Sequence, residues 1–196
     1  MRIAEIERKT NETQIKIKLN LDGVGNRKID TGIDFLNHML ELFAKQGLFD
    51  LEIKAIDDLK VNEHHTVEDV GIVLGQAFKK ALDEKKGIKR YGFFILPMDE
   101  TLVMTSLDLS GRSYCVINAE FKREKIGDLS TELIYDFFEA VARSLGANIH
   151  IKVFYGRNEH HKIEAMFKAF ARAMEMATRI DKRIAKEVPS TKGVLE

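Results

Sequence analysis

The chain has 196 residues, of which 44% are hydrophobic and 32% charged, and its 31 basic residues balance its 31 acidic ones. This length and composition allow one globular domain or two small ones and exclude a largely disordered chain. The balanced charge provides no bulk positive field, so neither nucleic acid nor a membrane is expected as a partner. The single cysteine, Cys115, cannot form an internal disulfide, which excludes the small secreted disulfide scaffolds.

The sequence contains no targeting or membrane signal. Its first residues lack the apolar core of a signal peptide, and no apolar run reaches the roughly 18 residues that a membrane helix needs. A soluble protein of a reducing compartment, the cytoplasm, is therefore expected.

The first half of the chain predicts strands and helices in alternation. Apolar side chains alternate over 15–21 and again over 51–55, which is the pattern of half-buried strands. A helical stretch of about 34–46 lies between them and is expected to stop at Gly47. Apolar residues at three-and-four spacing over 67–81 then predict a second helix.

The second half repeats this succession. Two strands, a helix, a strand and a helix are predicted, in this order, over 101–109, 113–121, 130–145, 149–155 and 163–177. Gly111 forms a turn between the first two strands, and Gly146 follows the first helix directly.

These elements predict an α+β fold of two tandem similar halves. Each half is expected to form a mixed β-sheet with two helices on one face, and the helices of the halves to pack together. No Pro- or Ser-rich linker separates the halves, so we expect one compact unit. The predicted boundaries are 1–90 for the first repeat, 91–185 for the second, and 186–196 for a C-terminal tail.

One segment recurs along the chain, NEHHTVE at 62–68 and NEHHKIE at 158–164, 96 residues later. Successive helix residues lie about 100° apart, so His64 and His65 splay to different sides of the predicted helix. Glu68 follows them by four and three residues and lies close to the same face as both. Such a unit can give one ligand to each of two metals, and imidazole with carboxylate suits Mn, Fe, Co, Ni or Zn.

The second copy offers the same set again, with His160, His161 and Glu164. A histidine pair at a helix start is more often exposed surface, with the preceding asparagine as a cap. Two unrelated surface pairs have no reason to share the whole motif, so the duplication favours metal binding. His38, in the helix over 34–46, is a further candidate ligand, and the alternative is a histidine at the edge of the core.

Three further motifs accompany the two His-His-x-x-Glu units: RKTNET at 8–13, DFLNHML at 34–40 and PSTKG at 189–193. Together these motifs resemble the imidazoleglycerol-phosphate dehydratase family of histidine biosynthesis. The resemblance implies a hydro-lyase that removes water from D-erythro-imidazoleglycerol phosphate to give imidazole-acetol phosphate. It also implies two Mn²⁺ ions per active site, no organic cofactor, and a 24-subunit homo-oligomer built from trimers with sites shared between subunits.

The resemblance also assigns individual residues. One metal would be held by His38, His65, Glu68 and His160. The other would be held by His64, His161, Glu164 and Asp136, at a position where the family commonly has histidine. The metals would bind the ring nitrogens of the substrate imidazolate as a template and charge stabiliser. Glu12 matches the family's substrate-contacting carboxylate for proton transfer. The phosphate would be bound by Arg90, Arg112, Lys168, Ser190 and Lys192.

The repeat gives Asp136 a role that does not depend on the resemblance. Asp136 lies in the helix before Gly146, a place comparable to that of His38 in the helix before Gly47. Each half then offers one ligand from its first helix and three from its second. The alternative is that Asp136 is an exposed helix residue and that water is the fourth ligand.

Two other functions stay open on the residues alone. A dinuclear metallohydrolase would use a metal-activated hydroxide on a phosphoester or amide. A metal-binding assembly protein would carry its histidine clusters at subunit contacts and catalyse nothing. Glu12 and the Ser190/Lys192 tail favour the dehydratase, because neither alternative needs them.

Overall fold

A computed structural model describes residues 2–57 and 62–195 of the chain. Within these ranges the strands are β1 Ile3–Lys9, β2 Thr13–Asn20, β3 Arg27–Asp30, β4 Asp50–Asp57, β5 Tyr91–Met98, β6 Thr101–Asp108, β7 Tyr114–Asn118, β8 Lys125–Ile126, β9 Leu129–Ser130 and β10 Asn148–Tyr155. The α-helices are α1 Asp34–Gly47, α2 His64–Leu82, α3 Leu133–Leu145 and α4 Glu159–Thr178, and a 3-10 turn follows at Lys182–Ile184.

The two large sheets have the same topology. Their strand orders are β1-β2-β4-β3 and β5-β6-β10-β7, and β8 with β9 forms a separate hairpin. In each sheet the strand after the first helix enters between two earlier strands, antiparallel to one and parallel to the other. The α+β prediction of two similar halves with mixed sheets is confirmed. The strands on either side of Gly111 do not pair with each other, because β10 lies between them.

The period of the apolar residues sets which face of each element is buried. In β2, Ile15, Ile17 and Leu19 are at most 1% exposed, while Lys16 and Lys18 point to the other face. The covered face of each sheet carries its own two helices. No helix in the described ranges combines the length and the apolarity that a bilayer crossing requires.

One helix end differs from the prediction. Gly146 adopts the left-handed conformation after α3, as expected, but Gly47 is the last residue of α1 and Leu48 takes the left-handed position. A Cβ on Gly47 would lie 2.4 Å from the Phe49 ring. Gly47 therefore serves the close packing of Phe49 on the helix, and an exposed leucine ends α1 in its place.

The helices of the two halves share one core. Helix α1 packs on α4, and α2 packs on α3, so each contact joins one half to the other. Seven phenylalanine rings form an unbroken series with centroids 5.0 to 5.9 Å apart: Phe49, Phe78, Phe43, Phe170, Phe138, Phe167 and Phe137. The link between halves is the stacked pair Phe43–Phe170, at 5.3 Å. The predicted boundaries at residues 90 and 185 stay predictions.

Two glycines set the distance between α2 and α3. A Cβ on Gly71 would lie 2.8 Å from the carbonyl oxygen of Phe137, and one on Gly75 would lie 2.8 Å from that of Val141. Both obstacles are backbone atoms, which cannot rotate away. The helices can therefore approach this closely only because these positions have no side chain.

We expect Gly75→Ala to lower the free energy of unfolding by about 1–3 kcal/mol, because overpacking outweighs the better helix propensity of alanine. Denaturant unfolding of the two proteins measures the difference. Gln76→Ala, at the next and half-buried position, is the control and should change stability little. A Gly75→Ala protein as stable as its parent would contradict the packing argument.

The thiol of Cys115 on β7 is half-buried against the core. Burial, together with the negative charge of Glu139, raises its pKa to about 12. The thiolate is the reactive form, so we expect slow reaction with a disulfide reagent at pH 8 in the folded protein. The same protein unfolded in guanidinium is the control and should react at the rate of free cysteine. Equal rates in the two states would refute this assignment.

Candidate active site

Three predicted ligands from different halves meet at the contact of α1 with α4. The Nε2 atoms of His38 and His160 lie 3.6 and 3.0 Å from the same oxygen, Oε2 of Glu164. Within residues 2–57 and 62–195, this is the one group of three histidine, cysteine or carboxylate side chains whose donor atoms all lie within 4.8 Å of one another. Both imidazoles are more than 40% exposed, and the carboxylate is 9% exposed. The two imidazoles are therefore accessible to solvent, while the negative charge of Glu164 is buried beneath them.

Glu164 is kept ionised by its neighbours. Burial alone would raise its pKa, but the hydrogen bond and charge of Lys168 and the contacts with His160 and His38 lower the pKa overall. The Lys168 ammonium lies 2.5 Å from Oε1, whereas the histidines contact Oε2. A predicted phosphate-binding cation thus adjoins the histidine group.

The segment 125–130 of the second half holds the starts of both first-half helices. The Asp128 carboxylate accepts the N–H groups of Asp34 and Phe35 at 2.6 and 3.0 Å, which caps α1. Glu63, just before α2, accepts the Ser130 hydroxyl at 2.6 Å and pairs with Lys125 at 2.9 Å. Burial would raise the pKa of Glu63, but these hydrogen bonds lower it to about 2. The helices that carry the first-half histidines are therefore positioned from the other half.

An asparagine side chain accepts a backbone N–H at the start of both histidine helices. The Asn62 side chain accepts the N–H of His64, and that of Asn158 accepts the N–H of His160, each at 3.0 Å. Asn158 is the N-cap of α4, whereas the N-cap of α2 is Glu63, whose side chain makes no cap hydrogen bond. Both hydrogen bonds leave the imidazole rings available.

The first pair belongs to a looser group of side chains. His64 Nε2 lies 3.9 Å from Glu68 Oε2, and His65 Nδ1 lies 3.9 Å from Glu12 Oε2. The other oxygen of Glu68 accepts a hydrogen bond from Arg143 of α3 at 3.0 Å. Glu12 is 65% exposed, so its carboxylate lies beside an imidazole without being held by it.

The turn that carries Glu12 is fixed by polar side chains behind it. The Thr10 hydroxyl accepts the N–H groups of Glu12 and Thr13 at 3.1 and 2.9 Å. The Asp69 carboxylate of α2 pairs with Arg8 at 2.5 Å and accepts the Thr13 hydroxyl. These bonds attach the β1–β2 turn to α2, the helix that begins with the first histidine pair.

The second pair is held more tightly. His161 Nδ1 lies 2.8 Å from Glu100 Oε2 in the β5–β6 turn, and its Nε2 lies 3.8 Å from the exposed carboxylate of Asp99. Glu100 Oε1 accepts the N–H of Asn158 at 2.9 Å and that of Arg157 at 3.2 Å. The hydrogen bonds from His161 and Asn158 lower the pKa of Glu100 to about 2.

Asp136 stands apart from the three-residue group. It is half-buried on α3, and its carboxylate makes no hydrogen bond or ion pair with any residue in the described part of the chain. Its proposed role as a ligand stays a prediction.

Arg90 holds the C-terminal tail in place. Its guanidinium forms a bidentate pair with Asp108 at 2.7 and 3.0 Å, and its remaining nitrogen donates to the Pro189 carbonyl at 2.9 Å. Gly87 N–H also donates to the Glu187 carbonyl at 2.8 Å. The residues before Ser190 are therefore docked on the body of the protein.

Three of the predicted phosphate residues, Ser190, Lys192 and Arg112, have free donors. Ser190 Oγ accepts the N–H of Lys192 at 3.2 Å and keeps its own hydroxyl proton available. The side chains of Lys192 and Arg112 are exposed. These groups can turn toward an anion without breaking a bond of the fold.

Sequence reasoning missed Glu100, Arg143 and Asp69, which contact predicted site residues. A signal for Glu100 is present in the repeat. A glutamate directly precedes the first threonine of both strands, Glu12 before β2 and Glu100 before β6, and the two strands have the same burial pattern. Arg143 and Asp69 lie in ordinary helical patterns, and nothing in the sequence distinguishes them.

Known proteins similar to this chain share its whole length. The family model for imidazoleglycerol-phosphate dehydratase matches residues 31–174. The chain is 59% identical over 191 residues to the curated imidazoleglycerol-phosphate dehydratase of Acetivibrio thermocellus, with 97% of each covered. It is 56% identical over 195 residues to that of Koribacter versatilis, with 100% of each covered.

Two solved structures have the same fold. The imidazoleglycerol-phosphate dehydratase from Staphylococcus aureus gives a TM-score of 0.83 at 41% identity, covering 91% of this chain and 99% of that one. The enzyme from Pyrococcus furiosus, in complex with (S)-C348, gives 0.84 at 37% identity, covering 97% and 100%. By its sequence, its fold and the match over residues 31–174, the chain belongs to the imidazoleglycerol-phosphate dehydratase family, a family of hydro-lyases of histidine biosynthesis.

Proposed function

We propose that this chain converts D-erythro-imidazoleglycerol phosphate to imidazole-acetol phosphate and water, with two divalent metal ions, Mn²⁺ by preference. The observation that carries the proposal is the meeting of His38, His160 and Glu164 in a chain of this family. Two imidazole nitrogens and a buried carboxylate form a donor set that fits a divalent transition metal, and the carboxylate oxygen is a ligand that suits Mn²⁺. When bound, the metals would hold the substrate's ring nitrogens and stabilise negative charge on the ring.

A residue of this chain, Glu12, can supply the general base that the reaction needs. Glu12 has an exposed carboxylate next to His65, so it can take the proton from the substrate carbon. The turn that carries it is fixed to α2 through Asp69, which keeps the carboxylate near the histidine pair. A general base must be held in position and still be free of strong partners, and Glu12 satisfies both conditions.

The positively charged side chains near Glu164 can bind the phosphate group of the substrate. Lys168 lies 2.5 Å from that carboxylate, so a molecule bound at the histidines through its ring can reach Lys168 with its phosphate. Ser190 and Lys192 lie on the tail that Arg90 anchors through Pro189. We infer that Arg90 acts partly by holding this tail, because Asp108 already occupies two of its nitrogens.

We infer that the complete site needs more than one copy of the chain. The resemblance assigns His38, His65, Glu68 and His160 to one metal and Glu164 to the other. In a single chain Glu164 instead lies with His38 and His160, and His65 and Glu68 lie outside this group. A homo-oligomer with shared sites, of 24 subunits built from trimers, would bring these donors together. Light scattering of the active protein tests this, and a fully active monomer would refute it.

The direct test is an assay of the purified protein, treated with a chelator and reloaded with Mn²⁺, on D-erythro-imidazoleglycerol phosphate. We expect loss of one water and formation of the ketone, and no turnover before reloading. Calorimetric titration should give about two Mn²⁺ per chain, with weaker binding at acidic pH, where protons compete with the metal for the ligand atoms. Release of inorganic phosphate in place of the ketone would identify a metallohydrolase and overturn the proposal.

We expect Glu12→Gln to lower kcat by about 10²–10⁴-fold while metal binding stays unchanged, because the amide cannot accept the proton. Lys192→Ala is the comparison variant and should mainly raise KM, since it removes a phosphate contact. Steady-state kinetics and metal titration of both variants separate the two roles. A near-parental kcat for Glu12→Gln would show that another residue is the base.

Asp136 gives a second test of the ligand set. If its carboxylate completes the second metal site, Asp136→Ala should lower the affinity for one of the two Mn²⁺ ions. Asp136→His should restore that affinity, because imidazole is also a metal ligand. Calorimetric titration resolves the two ions. If Asp136→Ala binds both ions as tightly as the parent does, Asp136 is not a ligand.

A further inference from the structure

Two glutamates occupy equivalent turns of the two sheets. Glu12 directly precedes β2 and Glu100 directly precedes β6, and each faces the second histidine of its own half. The carboxylate oxygen lies 3.9 Å from His65 Nδ1 in the first half and 2.8 Å from His161 Nδ1 in the second. One contact is too long for a hydrogen bond, and the other is a short one.

Both oxygens of the Glu100 carboxylate already accept hydrogen bonds. Oε1 accepts the N–H groups of Arg157 and Asn158 and lies 3.3 Å from the Thr101 hydroxyl, while Oε2 is bonded to His161. Its side chain is 27% exposed, against 65% for Glu12. The same carboxylate thus joins the β5–β6 turn, the start of α4 and the imidazole ring into one rigid unit.

The contact also fixes the proton on the ring. An ionised carboxylate can only accept hydrogen bonds, so Nδ1 of His161 must carry the proton. In the neutral ring the lone pair is then on Nε2, the nitrogen that points away from Glu100. Histidines that bind metals commonly donate their other ring N–H to a carboxylate in this way, which fixes the tautomer and the ring orientation.

We propose that Glu100 is a positioning residue, which holds His161 with its Nε2 lone pair directed to a metal, whereas the equivalent Glu12 is left free to react. The inference rests on the proposed function in one respect, that His161 is a metal ligand. It gives Glu100 a role in metal affinity and none in proton transfer.

The variant that tests this is Glu100→Gln, because it changes the proton pattern and preserves the shape. The glutamine carbonyl must face the N–H groups of Arg157 and Asn158, since an amide NH₂ there would meet two donors. The NH₂ group then faces His161 Nδ1, which must become an acceptor. The proton moves to Nε2, and the metal-facing lone pair is lost.

We expect Glu100→Gln to lower the affinity for one of the two Mn²⁺ ions by about 10–100-fold in calorimetric titration, and to leave the affinity for the other unchanged. Glu12→Gln, the same change at the equivalent turn, is the matched control and should bind both ions like the parent. Raising the Mn²⁺ concentration should restore turnover in Glu100→Gln and should not restore it in Glu12→Gln. Thermal unfolding of the metal-free proteins checks that each variant folds.

Glu100→Asp serves as the second variant, because it keeps an acceptor-only carboxylate on a shorter side chain. We expect it to lose less affinity than Glu100→Gln, and an equal loss would make side-chain shape the cause and overturn the proposal. Parental affinity for both ions in Glu100→Gln would also overturn it. A parent protein that binds two ions and forms no ketone would instead refute the proposed function and leave the Glu100 measurement valid.

Discussion

The contact between the helices of the two halves is the constraint on which the rest of this protein depends. The stacked rings of Phe43 and Phe170 join two sets of phenylalanines into a single core, and Gly71 and Gly75 let α2 approach the backbone of α3. Neither half could bury its helices alone, because the apolar face of each helix is covered partly by the other half. The relative position of the halves is therefore fixed by close packing.

That position also assembles the histidine group. His38 comes from α1, and His160 and Glu164 come from α4, so the three side chains meet only where these two helices touch. The cap that Asp128 provides for α1 crosses between the halves as well. The geometry of this group is thus set by rigid secondary structure and by the core beneath it, which is the support that a metal-binding arrangement needs.

The fold could be predicted from the sequence because its signals are local and occur twice. Alternation in β2, three-and-four spacing in the helices and the repeated NEHH segment each need only a short window. The end of α1 at Leu48 could not be predicted, because it depends on how the Phe49 ring packs on Gly47. The contact of Arg143 with Glu68 could not be predicted for a related reason, because the two residues are distant in sequence and adjacent only after folding.

The fusion of two similar halves in one chain has a consequence for how such a site can evolve. In a dimer of identical halves, every substitution would occur twice, and the two turn glutamates would have to remain alike. In a single chain each copy mutates independently. Glu100 can therefore accept hydrogen bonds from the start of α4 while its counterpart Glu12 stays exposed. The hairpin at 125–130 is a second departure of this kind, since the described residues of the first half form no counterpart to it. Because the halves are covalently linked, they can carry different side chains at equivalent positions where the chemistry requires it. The shared core meanwhile keeps the backbones of the two halves alike.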